Sequence, residues 1–176
     1  MFNRAVFLDR DDTMARDTGY CRRPEDFNLF ENTPAAVRQL NEAGFKVIVI
    51  TNQSGIGRGY FDEDTLGEIH DKMKEDLSKN KAIIDAIYYC PHRPDDGCDC
   101  RKPGTKLIRQ AAREHNIDLG ASFMVGDLQM DVDLGRAVGC RTVWIRGKNG
   151  IIGYDAAVGD ILEAAQQILA WEGEAK

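Results

Sequence analysis

Short apolar runs alternate along this chain with amphipathic stretches of helical period, and that alternation restricts the available folds more than any other feature. Strand-like runs fall at Ala5 to Leu8, Lys46 to Ile50, Ile84 to Tyr89, Phe123 to Val125 and Thr142 to Ile145. The first intervening helix is marked by Thr33 as N-cap, Pro34 in its first turn and Gly44 as its stop. Others are expected from Asp64 to Leu77, Thr105 to His115, Met130 to Val138 before Gly139, and Asp160 to Ala170. Strands joined through helices pair in parallel, so the pattern predicts an α/β fold of three layers, a central, mainly parallel sheet with helices on both faces. The 176 residues suffice for one well-buried core, so a single domain over 1–176 is expected, with a frayed tail from Gly173 to Lys176. Two long loops, Gly19 to Asn32 and Cys90 to Gly104, stand out, because long loops in compact domains are usually functional.

The formal charge of -6 argues against a nucleic-acid backbone or an anionic membrane as the main partner. An anionic ligand would need a local basic site, for which Arg10, Arg58, Arg101, Lys102 and Arg146 are available. No apolar segment of signal-peptide or membrane-span length is present, which predicts a cytoplasmic protein.

In an open parallel sheet, ligands bind beyond the carboxyl ends of the strands, and the residues at those positions share a chemistry. After the first strand come Asp9 and Asp11, two carboxylates two positions apart. One can attack an electrophile while the other moves the proton, provided a positive charge offsets their repulsion. A solvated acidic turn is the plainer explanation of that pair taken alone. After the second strand, Thr51-Asn52-Gln53-Ser54-Gly55 offers hydroxyl, amide and backbone donors for a phosphate, or simply a turn. After the fourth come Gly126 and Asp127, with Asp131 four residues on and within reach of one helix face. Lys102 lies in a basic pair before Pro103.

Cys90, His92, Cys98 and Cys100 give three thiols and an imidazole within eleven residues, a tetrahedral zinc set with no open position and hence a structural one. Reduced cysteines beside a surface histidine are the alternative, and His92 would be an unusual ligand for an iron–sulfur cluster. Cys21 and Cys140 are left as free thiols, with Cys140 expected in the core.

The ordered set Asp9-Arg10-Asp11, Thr51, Lys102 and Gly126-Asp127 with Asp131 resembles the four motifs of the haloacid dehalogenase-like phosphatase superfamily, over essentially the whole chain. The resemblance implies a Rossmann-like fold without a large cap domain and a magnesium ion held by Asp9, the Asp11 backbone carbonyl and Asp127. It implies Asp9 as nucleophile, Asp11 as general acid and base, Thr51 and Lys102 as phosphoryl-oxygen ligands, and Asp131 as support for Lys102 or the metal waters. The zinc loop at about 90–100 running into Arg101-Lys102-Pro103 is similar to the heptose 1,7-bisphosphate 7-phosphatases and the related histidinol-phosphate phosphatases. In the former, Asp17, Thr18, Gly19 and Tyr20, Arg101, and Asn52, Gln53 and Ser54 correspond to substrate contacts. The fork of Arg101 suits a second phosphate.

The resemblance implies a monomeric enzyme of carbohydrate metabolism acting on a small phosphorylated sugar, and the acidic balance predicts no nucleic-acid or membrane partner. The preferred reaction is hydrolysis of the 7-phosphate of D-glycero-D-manno-heptose 1,7-bisphosphate, as in lipopolysaccharide biosynthesis. Histidinol phosphate is the alternative substrate; a polynucleotide 3'-phosphatase, which should carry a basic stripe, and an inactive zinc-stabilised binding protein stand further off. Asp12 departs from the pattern, which has glycine there. Either the extra carboxylate caps the local turn or it perturbs the site.

Overall fold

The computed structural model describes residues 2–147 and 149–174. Among them, six strands form one sheet: β1 (Ala5–Leu8), β2 (Lys46–Asn52), β3 (Ala86–Cys90), β4 (Phe123–Gly126), β5 (Arg141–Ile145) and β6 (Ala156–Val158). Their spatial order is β3-β2-β1-β4-β5-β6, and every neighbouring pair is parallel. The helices are α1 (Thr33–Glu42), α2 (Ser54–Gly57), α3 (Glu63–Ser78), α4 (Lys106–Glu114), α5 (Gln129–Val138) and α6 (Ile161–Glu174).

Side-chain alternation along the strands divides the apolar residues between two cores. Val6, Leu8, Val47 and Val49 face Val37 and Leu40 of α1, Ile69 and Met73 of α3, and Ile168 of α6. Phe7, Ile48 and Ile50 face the other way, onto Leu107 and Ile108 of α4 and Leu134 of α5. Both faces of the central strands are covered, which is why they read as unbroken apolar runs. The chain winds outward from β1 in one direction through β2 and β3, then in the other through β4, β5 and β6. The crevice at the carboxyl ends of β1 and β4 is therefore the topological switch point, and the loops after β2 and β3 border it.

Several expected boundaries move. β2 runs on through Thr51 and Asn52, which pair with Tyr89 and Cys90, so the turn expected from Thr51 begins only at Gln53 and closes as α2. β3 starts two residues late because Asp85 is spent on Val47, accepting from its N–H and donating to its carbonyl, at 2.8 Å each. Thr33 is not the cap of α1 but its first residue, and its hydroxyl donates instead to the Met14 carbonyl at 2.6 Å. α6 extends to Glu174, so the expected fraying at Gly173 is absent; Ala175 and Lys176 lie outside the described residues. β6 was not expected: three residues at a sheet edge carry too little periodicity to register. Cys140 is buried in the second core.

Candidate active site and metal centre

Asp9, just past the end of β1, is almost fully buried, as are Lys102, Asp127 and Asp131. Lys102 reaches in from the loop after β3, and its Nζ lies 2.6 Å from Asp9 Oδ1 and 2.7 Å from Asp131 Oδ1. The other oxygen of Asp131 accepts from the Leu128 N–H at 3.0 Å and so caps α5. Gly126 makes that possible, since a Cβ there would sit 2.3 Å from the Asp131 carboxyl.

Burial pushes the Asp9 carboxyl up to about 7; the Asp131 and Asp11 charges add to the rise, while Lys102 opposes it. Burial pulls the Lys102 ammonium down, but Asp131 and Asp9 outweigh burial and hold it well above the usual lysine range. Oxygens of Asp9, Asp127 and Asp131, all three buried, lie within 4.8 Å of one another. A hard, oxygen-preferring divalent cation such as magnesium fits this donor set of carboxylate oxygens.

Asp11 is held differently. Arg10 Nη2 donates to both of its oxygens at 3.0 Å and Nε to Oδ1 at 3.1 Å, while Gln53 Nε2 donates to Oδ2 at 2.9 Å. The same Gln53 amide lies 2.8 Å from Thr51 Oγ1, so one side chain links the ends of β1 and β2. Asn52 is a fastener too: its Oδ1 accepts from the Lys102 N–H at 3.0 Å, tying the lysine's loop to β2.

These groups open into a cleft of about 190 Å³. Of the expected site residues, Asp9, Asp11, Asp17, Gly19, Tyr20, Asn52, Gln53, Ser54, Arg101, Lys102 and Asp127 line it together. Thr18 lies away from it, in a shallow concavity with Arg22 and Arg23, and Thr51 and Asp131 are buried behind its wall. Arg10, Asp12, Cys21 and Leu128 also line the cleft. The sequence offered a signal for the first two, which adjoin the paired carboxylates, and none for the others. Asp12 has φ +55°, the left-handed region that favours glycine, and its Oδ1 accepts from the Asp17 N–H at 3.1 Å. It thus caps the local turn, the first of the two alternatives. Over the cleft, Tyr20 meets Tyr60 edge to face at 4.9 Å, and the Arg22 guanidinium covers the Tyr60 ring at 4.4 Å.

The zinc-type cluster is compact. Cys90 Sγ lies 3.6 Å from Cys98 Sγ and 3.0 Å from Cys100 Sγ, and His92 Nδ1 lies 3.2 Å from Cys100 Sγ. These separations are far longer than a disulfide, and three thiols with one imidazole suit a closed tetrahedral zinc site. The loop is keyed to the carboxyl end of β2: Gln53 N–H donates to Cys90 O at 2.8 Å, Gly57 N–H to Pro91 O at 2.9 Å, and Arg93 Nε to Gly57 O at 2.6 Å. Arg101 Nη1 donates to His92 O at 3.4 Å.

Comparison with known proteins agrees with this geometry. A family model described as HAD-hyrolase-like matches residues 99–151. A protein of Haemophilus ducreyi named D-glycero-beta-D-manno-heptose-1,7-bisphosphate 7-phosphatase is 40% identical over 149 residues, 81% of this chain and 82% of its own length. A probable D-glycero-D-manno-heptose-1,7-bisphosphate 7-phosphatase of Thermoplasma volcanium is 42% identical over 124 residues, 70% of this chain and 85% of its own. The crystal structure of D,D-heptose 1,7-bisphosphate phosphatase from B. bronchiseptica, complexed with magnesium and phosphate, superposes with a TM-score of 0.89 at 33% identity, covering 96% of this chain and 99% of that one.

Proposed function

This chain belongs to the haloacid dehalogenase-like phosphatases of the heptose 1,7-bisphosphate 7-phosphatase family, and from that premise we propose that it removes the 7-phosphate of D-glycero-D-manno-heptose 1,7-bisphosphate. The observation that carries the reading is the buried Asp9–Lys102–Asp131 contact at the floor of a cleft that Arg101 also lines.

Asp9 is the nucleophile. Its carboxylate oxygen bonds to phosphorus as the P–O bond to the sugar breaks, and Asp11 gives its proton to the departing oxygen. Asp11, now a carboxylate, takes a proton from water. That water attacks the same phosphorus, the bond to Asp9 breaks, and inorganic phosphate leaves with both side chains restored. Asp9, Asp127 and the Asp11 backbone carbonyl would hold magnesium, which would supply the charge neutralisation that lets an anionic nucleophile approach an anionic phosphate. Lys102 binds a phosphoryl oxygen, and Asp131 holds it in place. Thr51, buried beneath the cleft, serves the phosphoryl group from behind by accepting from the Gln53 amide at the end of β2, and Gln53 and Ser54 face the cleft itself. Arg101 receives the second phosphate through its fork. Tyr20 and the Asp17–Gly19 turn, with Thr18 at its outer edge, form the sugar side of the cleft. The Cys90, His92, Cys98 and Cys100 set would hold structural zinc. We further assign the enzyme to the cytoplasm as a monomer; among the described residues no helix is long and apolar enough to cross a membrane.

The test is kcat/KM with magnesium for both anomers of the heptose bisphosphate beside histidinol phosphate. A preference of at least about a hundredfold for one heptose anomer over histidinol phosphate, roughly 2.7 kcal/mol of transition-state discrimination, is the expected result. Faster turnover of histidinol phosphate would reassign the substrate and leave the phosphatase chemistry intact.

A further inference from the structure

Arg10 heads the fully buried side chains by volume, and a buried guanidinium has five N–H donors to satisfy. Nε and Nη2 are spent on Asp11, and the Phe27 ring stands 5.7 Å away. Nη1 faces His70 Nε2 at 3.4 Å. Arginine only donates, so this contact is a hydrogen bond when His70 Nε2 carries a lone pair and the ring proton sits on Nδ1. The environment enforces the neutral ring: burial, then the charges of Arg10 and Lys74, hold the imidazole down to about 3. His70 belongs to α3 and is not among the residues lining the cleft.

We propose that His70 is a positioning residue for departure of the alcohol, acting through Arg10 to set where Asp11 presents its proton. This rests on the assignment of Asp11 as general acid made above. Arg10 and Asp11 are chain neighbours, so the orientation of the guanidinium fork fixes the direction of the carboxyl group it grips. With the Nη1 acceptor removed, an N–H is left buried without a partner, and the fork relaxes toward another one. A displacement of about 1 Å at a reacting group can cost about a hundredfold in rate.

The experiment exploits the leaving group. A sugar or simple alkyl phosphate needs a proton delivered to its departing oxygen, whereas p-nitrophenol leaves readily as an anion. kcat/KM with saturating magnesium is measured for the heptose bisphosphate, whose 7-phosphate is an alkyl ester, and for p-nitrophenyl phosphate in the wild type, His70→Leu, His70→Gln and Asp11→Asn. The ratio of the two values is independent of how much of each preparation is folded. The inference predicts that His70→Leu lowers the alkyl-to-aryl ratio roughly tenfold or more, in the same direction as Asp11→Asn, and that His70→Gln, which keeps an acceptor, recovers most of it. An unchanged ratio in His70→Leu overturns it, as does His70→Gln falling as far as His70→Leu. A wild type that releases no phosphate from the heptose bisphosphate overturns the proposed function itself, which is a different result.

Discussion

Lys102 sits between two buried carboxylates, and its replacement has two consequences of different kind. Loss of a preorganised cation facing the phosphoryl group predicts a fall of about 10²–10³ in kcat/KM for Lys102→Ala, while zinc content measured on the same protein stays at the wild-type level. Asp12 has the opposite expectation. Asp12→Gly relieves a left-handed backbone by about 1 kcal/mol and gives up one turn hydrogen bond of about the same size, so stability and kcat should remain close to wild type. A large loss of turnover in that variant would mean that the carboxylate itself takes part. His70 sets an acid limit. Its folded pKa of about 3 lies below the unfolded value near 6.5, so the folded state resists a proton that the unfolded chain accepts. Its contribution is present above pH 6.5 and is lost as pH falls toward 3, at up to about 1.4 kcal/mol per pH unit. Denaturant unfolding of His70→Gln between pH 7 and 4 should therefore decline less steeply than that of the wild type.

At the scale of elements, the Cys/His loop leads directly into a wall of the cleft, which Arg101 and Lys102 line. It is fastened to β2 and α2 through Gln53, Gly57 and Arg93, and Gly104 closes it so tightly that a Cβ would lie 2.4 Å from the Asp99 carbonyl. Lys102 and Arg101 leave from this loop. Opening the Cys/His cluster should thus cost activity by displacing two cations rather than by unfolding the sheet. Cys98→Ser, or zinc removal by a chelator selective for zinc over magnesium, is expected to lower kcat/KM at least about tenfold with excess magnesium present, while the far-ultraviolet circular dichroism changes little. Strands and helices were legible in the sequence wherever burial on both faces, or a helical stripe with its stop signal, left a clean pattern, as at β1, β2 and α5. The edge strand β6 and the single turn α2 were not, because elements this short owe their conformation to neighbours rather than to their own periodicity.

For the whole molecule, what the sequence carried best was position relative to strand ends. Asp9, Asn52 and Asp127 share one cleft because all the strands run in parallel and the order reverses between β1 and β4. What it could not carry were contacts made by distance in the fold: His70 lies 60 positions from Arg10, Asn52 lies 50 from Lys102, and nothing in either segment marks its partner. A cation bound among Asp9 and Asp127 would join the two halves of the sheet at that reversal. Magnesium at about a hundred times its Kd should add roughly 2.7 kcal/mol to stability, a rise in Tm of roughly 5–10 °C for a chain of this size, read by thermal unfolding. Asp127→Asn should lose most of that rise.

The most direct measurement is phosphorus NMR of the product formed from D-glycero-D-manno-heptose 1,7-bisphosphate with the protein and magnesium. The structure-based account predicts loss of the 7-phosphate signal, growth of inorganic phosphate and retention of the anomeric phosphate. Release of the anomeric phosphate instead, or no release while magnesium binds, would contradict it.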